Sequence, residues 1–190
     1  MLGAGAVIAL AGSAAIGYRI ANRGALPSIS NIGGPIDLIA ADGSRFTNAT
    51  IGGKPFVVFF GFTHCPNVCP TTLSDLTLAL DALGPLADRL KVLFITVDPE
   101  RDTPDVLKDY LSAFDPRIIG LSGSPEAIAA VAKGFRVFYE KVPTEGGDYT
   151  MNHTATVFLM NSSGALTGTL DFEEDRATQI AKLKRLVETG

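Results

Sequence analysis

The sequence predicts an α/β domain of three layers, in which helices cover both faces of a mixed central sheet. Strand-type apolar runs alternate with helical patterns along most of the chain, which favours parallel neighbours. Two late strand-type runs are joined by a short turn, so part of the sheet is expected to be antiparallel. The 190 residues, 46% hydrophobic and 19% charged, are enough for one well-buried core. We therefore expect one folded domain plus an appendage.

The appendage is the N-terminal segment, whose first eighteen residues carry no charge before Arg19 and Arg23. Its length is close to the ~20 apolar residues that a membrane span requires. An uncleaved anchor, a signal peptide and a buried helix all fit, and the lack of a basic start disfavours the signal peptide. We expect a membrane anchor or signal segment over residues 1–20, a flexible Gly/Pro-containing linker over 21–34, and the folded domain over 35–190.

The folded domain is predicted to open with an added β-hairpin. From Ile36 apolar and polar residues alternate, and Asp42-Gly43 is typical of a tight hairpin turn. Residues 54–62, KPFVVFFGF, then form a continuous apolar run, as expected for a strand covered on both faces. This strand leads directly into the two cysteines.

Helices and strands alternate in the middle of the chain. Leucines recur at helical spacing from Pro70 to a stop at Gly84-Pro85. A buried strand is predicted over residues 91–97. Asp102 or Thr103 is then a candidate N-cap before Pro104. The leucines of the first helix are Leu73, Leu76, Leu80 and Leu83.

The last third of the chain repeats this pattern. Ser124-Pro125-Glu126 begins a predicted helix through Ala132. Strands are predicted over 136–142 and 154–160, and a third over 165–170 follows the turn at Ser163-Gly164. A final amphipathic helix is expected from about residue 174 to 187.

Cys65 and Cys69, the two cysteines of the chain, fall where a buried strand gives way to a helix. Open α/β sheets usually carry their ligand-binding residues at this edge, and a helix N-terminus favours the thiolate form of a cysteine. Residues four apart in a helix have Cβ atoms about 5–6 Å apart, so both sulfurs can meet one ion or oxidise to a disulfide. The C-x-x-x-C spacing alone leaves a metal site, a redox pair and plain packing residues open.

Three segments carry a family resemblance: GFTHCPNVCPTT, VDPERDTP and MNHTATVFLM. Together they resemble the Sco/SenC family of copper-handling proteins, from about Ile36 to the end of the chain. The resemblance implies a thioredoxin-like fold, tethered to an inner membrane and facing an oxidising compartment. It also implies that Cys65, Cys69 and His153 bind one copper ion, as Cu(I), Cu(II) or both. The chemistry agrees, because thiolates select Cu(I) and imidazole suits copper in either state.

Other residues near the implied site have more than one candidate role. A structural zinc ion would prefer four ligands and would require His64, which the family does not use. Met151 shares the strand face of His153, so its thioether either assists the metal or packs in the core, and we favour packing. Asp98, in the VDPERDTP segment, either orients the histidine, receives charge from a partner, or forms a local ion pair with Arg101.

Two positions depart from the common family pattern. Asn67 lies between the cysteines and Asn152 precedes the histidine, where many relatives carry aspartate. The loss of two negative charges is expected to weaken the attraction of cationic partners and to change the redox poise. It leaves the implied ligands unchanged.

The function that the resemblance implies is a copper metallochaperone, more a carrier than an enzyme. Its expected partners are the copper-containing subunit of cytochrome c oxidase, with its binuclear copper centre, or another copper chaperone. The expected location is the bacterial inner membrane with the domain facing the periplasm, and the mitochondrial inner membrane is less favoured. A net charge of −4 without a dense Lys/Arg run argues against nucleic acid as a partner.

The alternative is a thiol-disulfide oxidoreductase acting on the acceptor's cysteines, or a redox sensor. Thioredoxin-like oxidoreductases carry C-x-x-C and a cis-proline opposite it. Here the cysteine spacing is one residue longer, and His153 is expected where that proline would stand.

Overall fold

A computed structural model describes residues 32–190 of the chain. The predicted N-terminal anchor at 1–20 and most of the predicted linker at 21–34 lie outside this part. Among the described residues, no helix has the length and apolarity needed to cross a bilayer.

The core of the domain is a seven-stranded sheet. Its strands are β1 Asp37–Ala40, β2 Arg45–Thr47, β3 Phe56–Gly61, β4 Lys91–Thr96, β5 Ile118–Ser122, β8 Val157–Met160 and β9 Leu166–Leu170. They lie in the order β2-β1-β5-β4-β3-β8-β9. β3, β4 and β5 are parallel, whereas β1, β2, β8 and β9 pair antiparallel to their neighbours. The sheet is therefore mixed, as the sequence predicts.

β1 and β2 form the predicted hairpin. Its turn contains Gly43, whose φ of 83° favours glycine, and the Asp42 carboxylate accepts a hydrogen bond from the Ser44 N–H. The hairpin pairs with β5, so it extends one edge of the central sheet.

Helices cover both faces of the sheet. They are α1 Asn48–Ile51, α2 Val68–Leu83, α3 Pro104–Leu111, α4 Pro125–Phe135 and α5 Arg176–Thr189, with a 3-10 turn at Gly84–Arg89. α2 packs against α5 on the face that carries Phe59, and α4 lies on the opposite face, where the Phe135 ring is 5.5 Å from that of Phe60. This arrangement gives the three predicted layers.

The helix starts follow the capping signals of the sequence. Thr103 caps α3 by accepting a hydrogen bond from the Val106 N–H, and Ser124 caps α4 in the same way. Of the two candidate caps before Pro104, Thr103 is therefore the one used. Asp102 is fully buried and has other partners.

The structure differs from the prediction in four strands. β5 was not predicted, because Gly120 interrupts its short apolar run; an added Cβ there would lie 2.6 Å from Leu111 Cδ1. The strand predicted over 136–142 forms over Tyr139–Pro143 as β6, since Arg136 still ends α4 in the left-handed region. β8 begins at Val157 rather than at residue 154.

β6 pairs antiparallel with an unpredicted strand, β7, over Tyr149–His153. These two strands form a separate sheet, called the ribbon below. Its second strand carries His153.

Candidate metal centre

The cysteine loop connects β3 to α2 over residues 62–67. Cys65 is half-buried in this loop, and Cys69 is fully buried in the first turn of α2. The first N–H groups of a helix lack intrahelical acceptors, and the Cys69 N–H points at the Cys65 sulfur, 3.4 Å away. Pro70, which has no N–H, fits the same first turn. The helix start therefore favours negative charge on Cys65.

Gly61, the last residue of β3, leaves the space that the Cys69 sulfur occupies. A Cβ at this position would lie 2.8 Å from Cys69 Sγ and 2.6 Å from the Phe94 ring. Such distances are below van der Waals contact, so only glycine admits the sulfur here without displacement.

His153 reaches the cysteines from the end of the ribbon. Its Nε2 lies 3.5 Å from Cys69 Sγ, although the two residues are 84 positions apart. Its Nδ1 lies 3.0 Å from the carbonyl oxygen of Thr154. A carbonyl only accepts hydrogen bonds, so Nδ1 carries the proton and the lone pair of Nε2 faces the sulfurs. The ring packs edge-on against Phe62 and Phe59.

The donor atoms of Cys65, Cys69 and His153 all lie within 4.8 Å of one another. Two sulfurs and one imidazole nitrogen thus converge around a common point. Soft sulfur with imidazole is a donor set that suits copper. The fold therefore brings together the three residues that the family resemblance named.

The two cysteine thiols differ in pKa. The pKa of Cys65 is lowered to about 3, because the Cys69 thiol and backbone N–H groups donate hydrogen bonds to its sulfur, against the opposing effect of burial. The same pairing, together with burial, raises the pKa of the Cys69 thiol. Binding a metal through both sulfurs therefore releases the proton of Cys69.

Asp98 and Arg101 do not touch the histidine. The buried Asp98 carboxylate accepts hydrogen bonds from the Arg101 Nε–H and from the Tyr149 hydroxyl, the latter at 2.9 Å. This is the local ion pair considered from the sequence, with the tyrosine added. The orientation of His153 comes from the Thr154 carbonyl instead.

The other residues considered from the sequence lie outside the donor cluster. Met151 is buried in the hydrophobic core. His64 is exposed, with Nδ1 3.0 Å from the Thr63 hydroxyl. Asn67 and Asn152 are both exposed at the rim, and the Asn152 amide approaches the Glu140 carboxylate at 3.4 Å.

Sequence reasoning missed the carboxylate that holds the cysteine loop. Asp102 accepts hydrogen bonds from the Thr63 N–H and from the hydroxyls of Thr63 and Thr96. It was considered only as a helix cap, and nothing in local spacing links it to Thr63. Tyr149 was missed as well, because its partner Asp98 is 51 residues away.

Comparison with known proteins assigns the family. The sequence model of SCO1/SenC matches residues 25–188, which is most of the chain. The chain belongs to the SCO1/SenC family. Among SCO1/SenC relatives, protein SCO1 homolog 1, mitochondrial, of Arabidopsis thaliana is 44% identical over 131 residues, 68% of this chain. The chain spans 39% of that relative's length and 53% of yeast protein SCO2, mitochondrial.

Solved SCO1/SenC structures have the same fold. Bradyrhizobium japonicum ScoI, solved with copper bound, superposes with a TM-score of 0.77 at 47% identity, covering 82% of this chain and 99% of that one. Yeast Sco1, also solved with copper bound, gives 0.77 at 36% identity, covering 84% and 90%. The fold is thus the thioredoxin-like fold of Sco proteins, as expected from the resemblance.

Proposed function

We propose that this protein is a copper metallochaperone that binds one copper ion through Cys65, Cys69 and His153. It delivers that ion to the binuclear copper centre of cytochrome c oxidase. The observation that carries the proposal is the convergence of the three donor atoms within 4.8 Å. Related proteins from B. japonicum and yeast, solved with copper bound, support the choice of metal.

The exposure of the donors suits transfer rather than permanent storage. Cys65 and His153 are half-buried and Cys69 is fully buried, so the ion is held from one side. An acceptor's thiolates can approach from the open side and replace the donors one at a time. Copper then moves by ligand exchange without entering solution as a free ion.

The proposed setting is a membrane surface. In this proposal residues 1–20 anchor the protein in a bacterial inner membrane, residues 21–34 are the linker, and the domain faces the periplasm. The acceptor is the copper-containing oxidase subunit or another copper chaperone. A SCO1/SenC family lipoprotein from Bacillus anthracis and relatives named as mitochondrial are consistent with a membrane-associated role.

A thiol-disulfide oxidoreductase is the second candidate. Two free thiols lie within 4.8 Å, and the lowered pKa of Cys65 makes it a thiolate at neutral pH, as a reductase requires. Against it, His153 presents a metal-type lone pair to both sulfurs, which disulfide exchange does not need. The carrier role therefore ranks first.

The deciding experiment is a titration of the reduced protein with Cu(I), beside a His153→Ala variant. We expect one equivalent to bind, and the variant to lose about 100-fold or more in affinity, since even partners of metal ligands contribute 10–100-fold. His64→Ala is the matched control, because this exposed histidine adjoins Cys65 without joining the donor cluster. It should bind like the parent.

Unchanged affinity in His153→Ala would overturn the three-donor site. Disulfide reductase turnover, measured on the same proteins, separates the two candidates. If turnover is substantial in the parent and survives the substitution at full rate, the oxidoreductase role gains.

A further inference from the structure

We infer that Tyr149 and Arg101 are positioning residues that hold the ribbon against the domain and so fix the distance between His153 and the cysteines. The inference rests on the proposed function, because it concerns the same donor site. It assigns the two residues a role in copper affinity that acts through His153.

The ribbon requires side-chain contacts of this kind to stay in place. It is a two-stranded sheet that shares no strand pairing with the central sheet among the described residues. An isolated two-stranded hairpin is at best marginally stable in water. β6 is mostly exposed, and the connection to β7 contains Gly146 and Gly147, both with φ of 84°. Main-chain pairing alone therefore does not fix the position of His153, and side-chain contacts of β7, such as those of the buried Met151 and of Tyr149, must do so.

Tyr149, the first residue of β7, holds the ribbon through three contacts with Arg101 and Asp98. The Arg101 guanidinium lies 3.8 Å from the centre of the tyrosine ring. Arg101 Nη1 also donates a hydrogen bond to the Tyr149 carbonyl oxygen at 2.9 Å. The Tyr149 hydroxyl donates to Asp98, which pairs with Arg101 in turn. Cation–π stacking, a charge-assisted hydrogen bond and a main-chain contact thus act on one residue.

This cluster is joined to the residues that hold the cysteine loop. The Asp98 N–H donates to the Thr96 hydroxyl, and that hydroxyl donates to Asp102, which binds Thr63 at the start of the loop. Thr96 also pairs in register with Gly61 at the end of β3. The cysteine loop and the ribbon are therefore both held by residues at the C-terminal end of β4.

The consequence for the metal site follows from the chain path. Tyr149 and His153 are the first and last residues of the same short strand. If the tyrosine contact is lost, the ribbon moves more freely and Nε2 is no longer held 3.5 Å from Cys69 Sγ. Bringing the imidazole back then costs conformational entropy, and copper affinity falls.

The test measures Cu(I) affinity by competition with a chromophoric chelator for Tyr149→Phe in the full chain. This variant keeps the ring and removes only the hydroxyl that binds Asp98. We expect about a tenfold loss of affinity, within the range for groups that orient metal ligands. Arg101→Lys should weaken binding similarly, because lysine keeps the charge but not the planar stack.

Tyr139→Phe is the matched control. Tyr139 lies directly opposite His153 in the ribbon, and its hydroxyl forms no hydrogen bond with any residue that the structure describes. Removing this hydroxyl should leave the affinity within about twofold of the parent, which corresponds to ~0.4 kcal/mol at 25 °C.

A double variant separates positioning from general destabilisation. If Tyr149 acts through the histidine, Tyr149→Phe causes no further loss in a His153→Ala background. The inference is overturned if Tyr149→Phe alone binds like the parent, or if its loss adds fully to that of His153→Ala. Failure of the proposed function is recognised separately, because His153→Ala would then bind as tightly as the parent.

Discussion

The Asp102 carboxylate accepts two hydrogen bonds from Thr63, 39 residues earlier in the chain: one from its N–H at 3.0 Å and one from its hydroxyl at 2.6 Å. Asp102 is fully buried, and Thr63 begins the turn that leads to Cys65. A buried carboxylate is stable only when its oxygens are well bonded. The pairing therefore fixes where the cysteine loop begins.

Asp102→Asn is expected to reduce the free energy of unfolding by about 1–3 kcal/mol. The amide NH2 of asparagine would face donors instead of accepting from them, which leaves buried groups unpaired. Urea denaturation measures the loss. Asp109→Asn, on the exposed side of α3, is the control and should change stability by less than about 0.5 kcal/mol. Equal stability of the two variants would contradict the structural role of Asp102.

Gly61→Ala is expected to destabilise the protein by about 1–3 kcal/mol and to weaken copper binding. The added methyl group would press on Cys69 Sγ and the Phe94 ring. Denaturation and Cu(I) competition measure the two effects. Gly168→Ala in β9 is a fair comparison, since its nearest neighbour would lie at an ordinary 3.7 Å. A Gly61→Ala protein with parental stability and affinity would show that the sulfur is not confined there.

In the reduced, metal-free protein, Cys65 should react with iodoacetamide well before Cys69. Cys65 is half-buried and its pKa is lowered by the hydrogen bond from Cys69, whereas Cys69 is inaccessible and its pKa is raised. Peptide mass spectrometry after short exposures gives the order. One equivalent of Cu(I) should protect both thiols. Preferential labelling of Cys69 would be incompatible with the described geometry.

The Asp115–Arg117 pair is expected to stabilise the fold in a pH-dependent way. Hydrogen bonds from Arg117 hold the pKa of the Asp115 carboxyl below its ordinary 3.8. A lowered folded pKa means that the stabilisation is complete well above pH 3.8 and is lost as the pH falls through the lowered value. Asp115→Asn should therefore cost about 1 kcal/mol at pH 7, a modest amount because Arg117 is partly exposed.

Urea denaturation at pH 7 and at stepwise lower pH checks this dependence. The difference between Asp115→Asn and the parent should shrink below pH 3.8. Asp88→Asn removes a more distant and exposed partner of Arg117, at 3.6 Å, and should have little effect at any pH. A difference that persists unchanged at low pH would exclude the ion pair as its cause.

Sequence patterns predicted the parts of the fold that local chemistry specifies. The long apolar runs of β3 and β4, the Asp42-Gly43 turn and the Thr103 and Ser124 caps are encoded within a few residues each. β5 was not predicted, because Gly120 breaks its apolar run at the point where Leu111 packs. The ribbon was not predicted, because β7 has neither a continuous apolar run nor a strict alternation of apolar and polar residues.

The candidate site was predictable only in part for the same reason. The position of Cys65 and Cys69 at a strand end followed from the residues around them. The inclusion of His153 came from the family resemblance, since no local pattern connects positions 84 residues apart. Tyr149 and Asp102 depend on contacts between distant segments, which a single sequence does not display.

The separation between the cysteines and the histidine also sets an order of events during biosynthesis. A ribosome makes the thiols first, and the imidazole follows only at the end of β7, after three further strands and two further helices of the described domain have been synthesised. The complete donor set therefore exists only in a chain finished through His153 with its ribbon docked. A nascent or truncated polypeptide offers only the sulfurs, so under the proposed function full metal loading requires that this part of the molecule has matured.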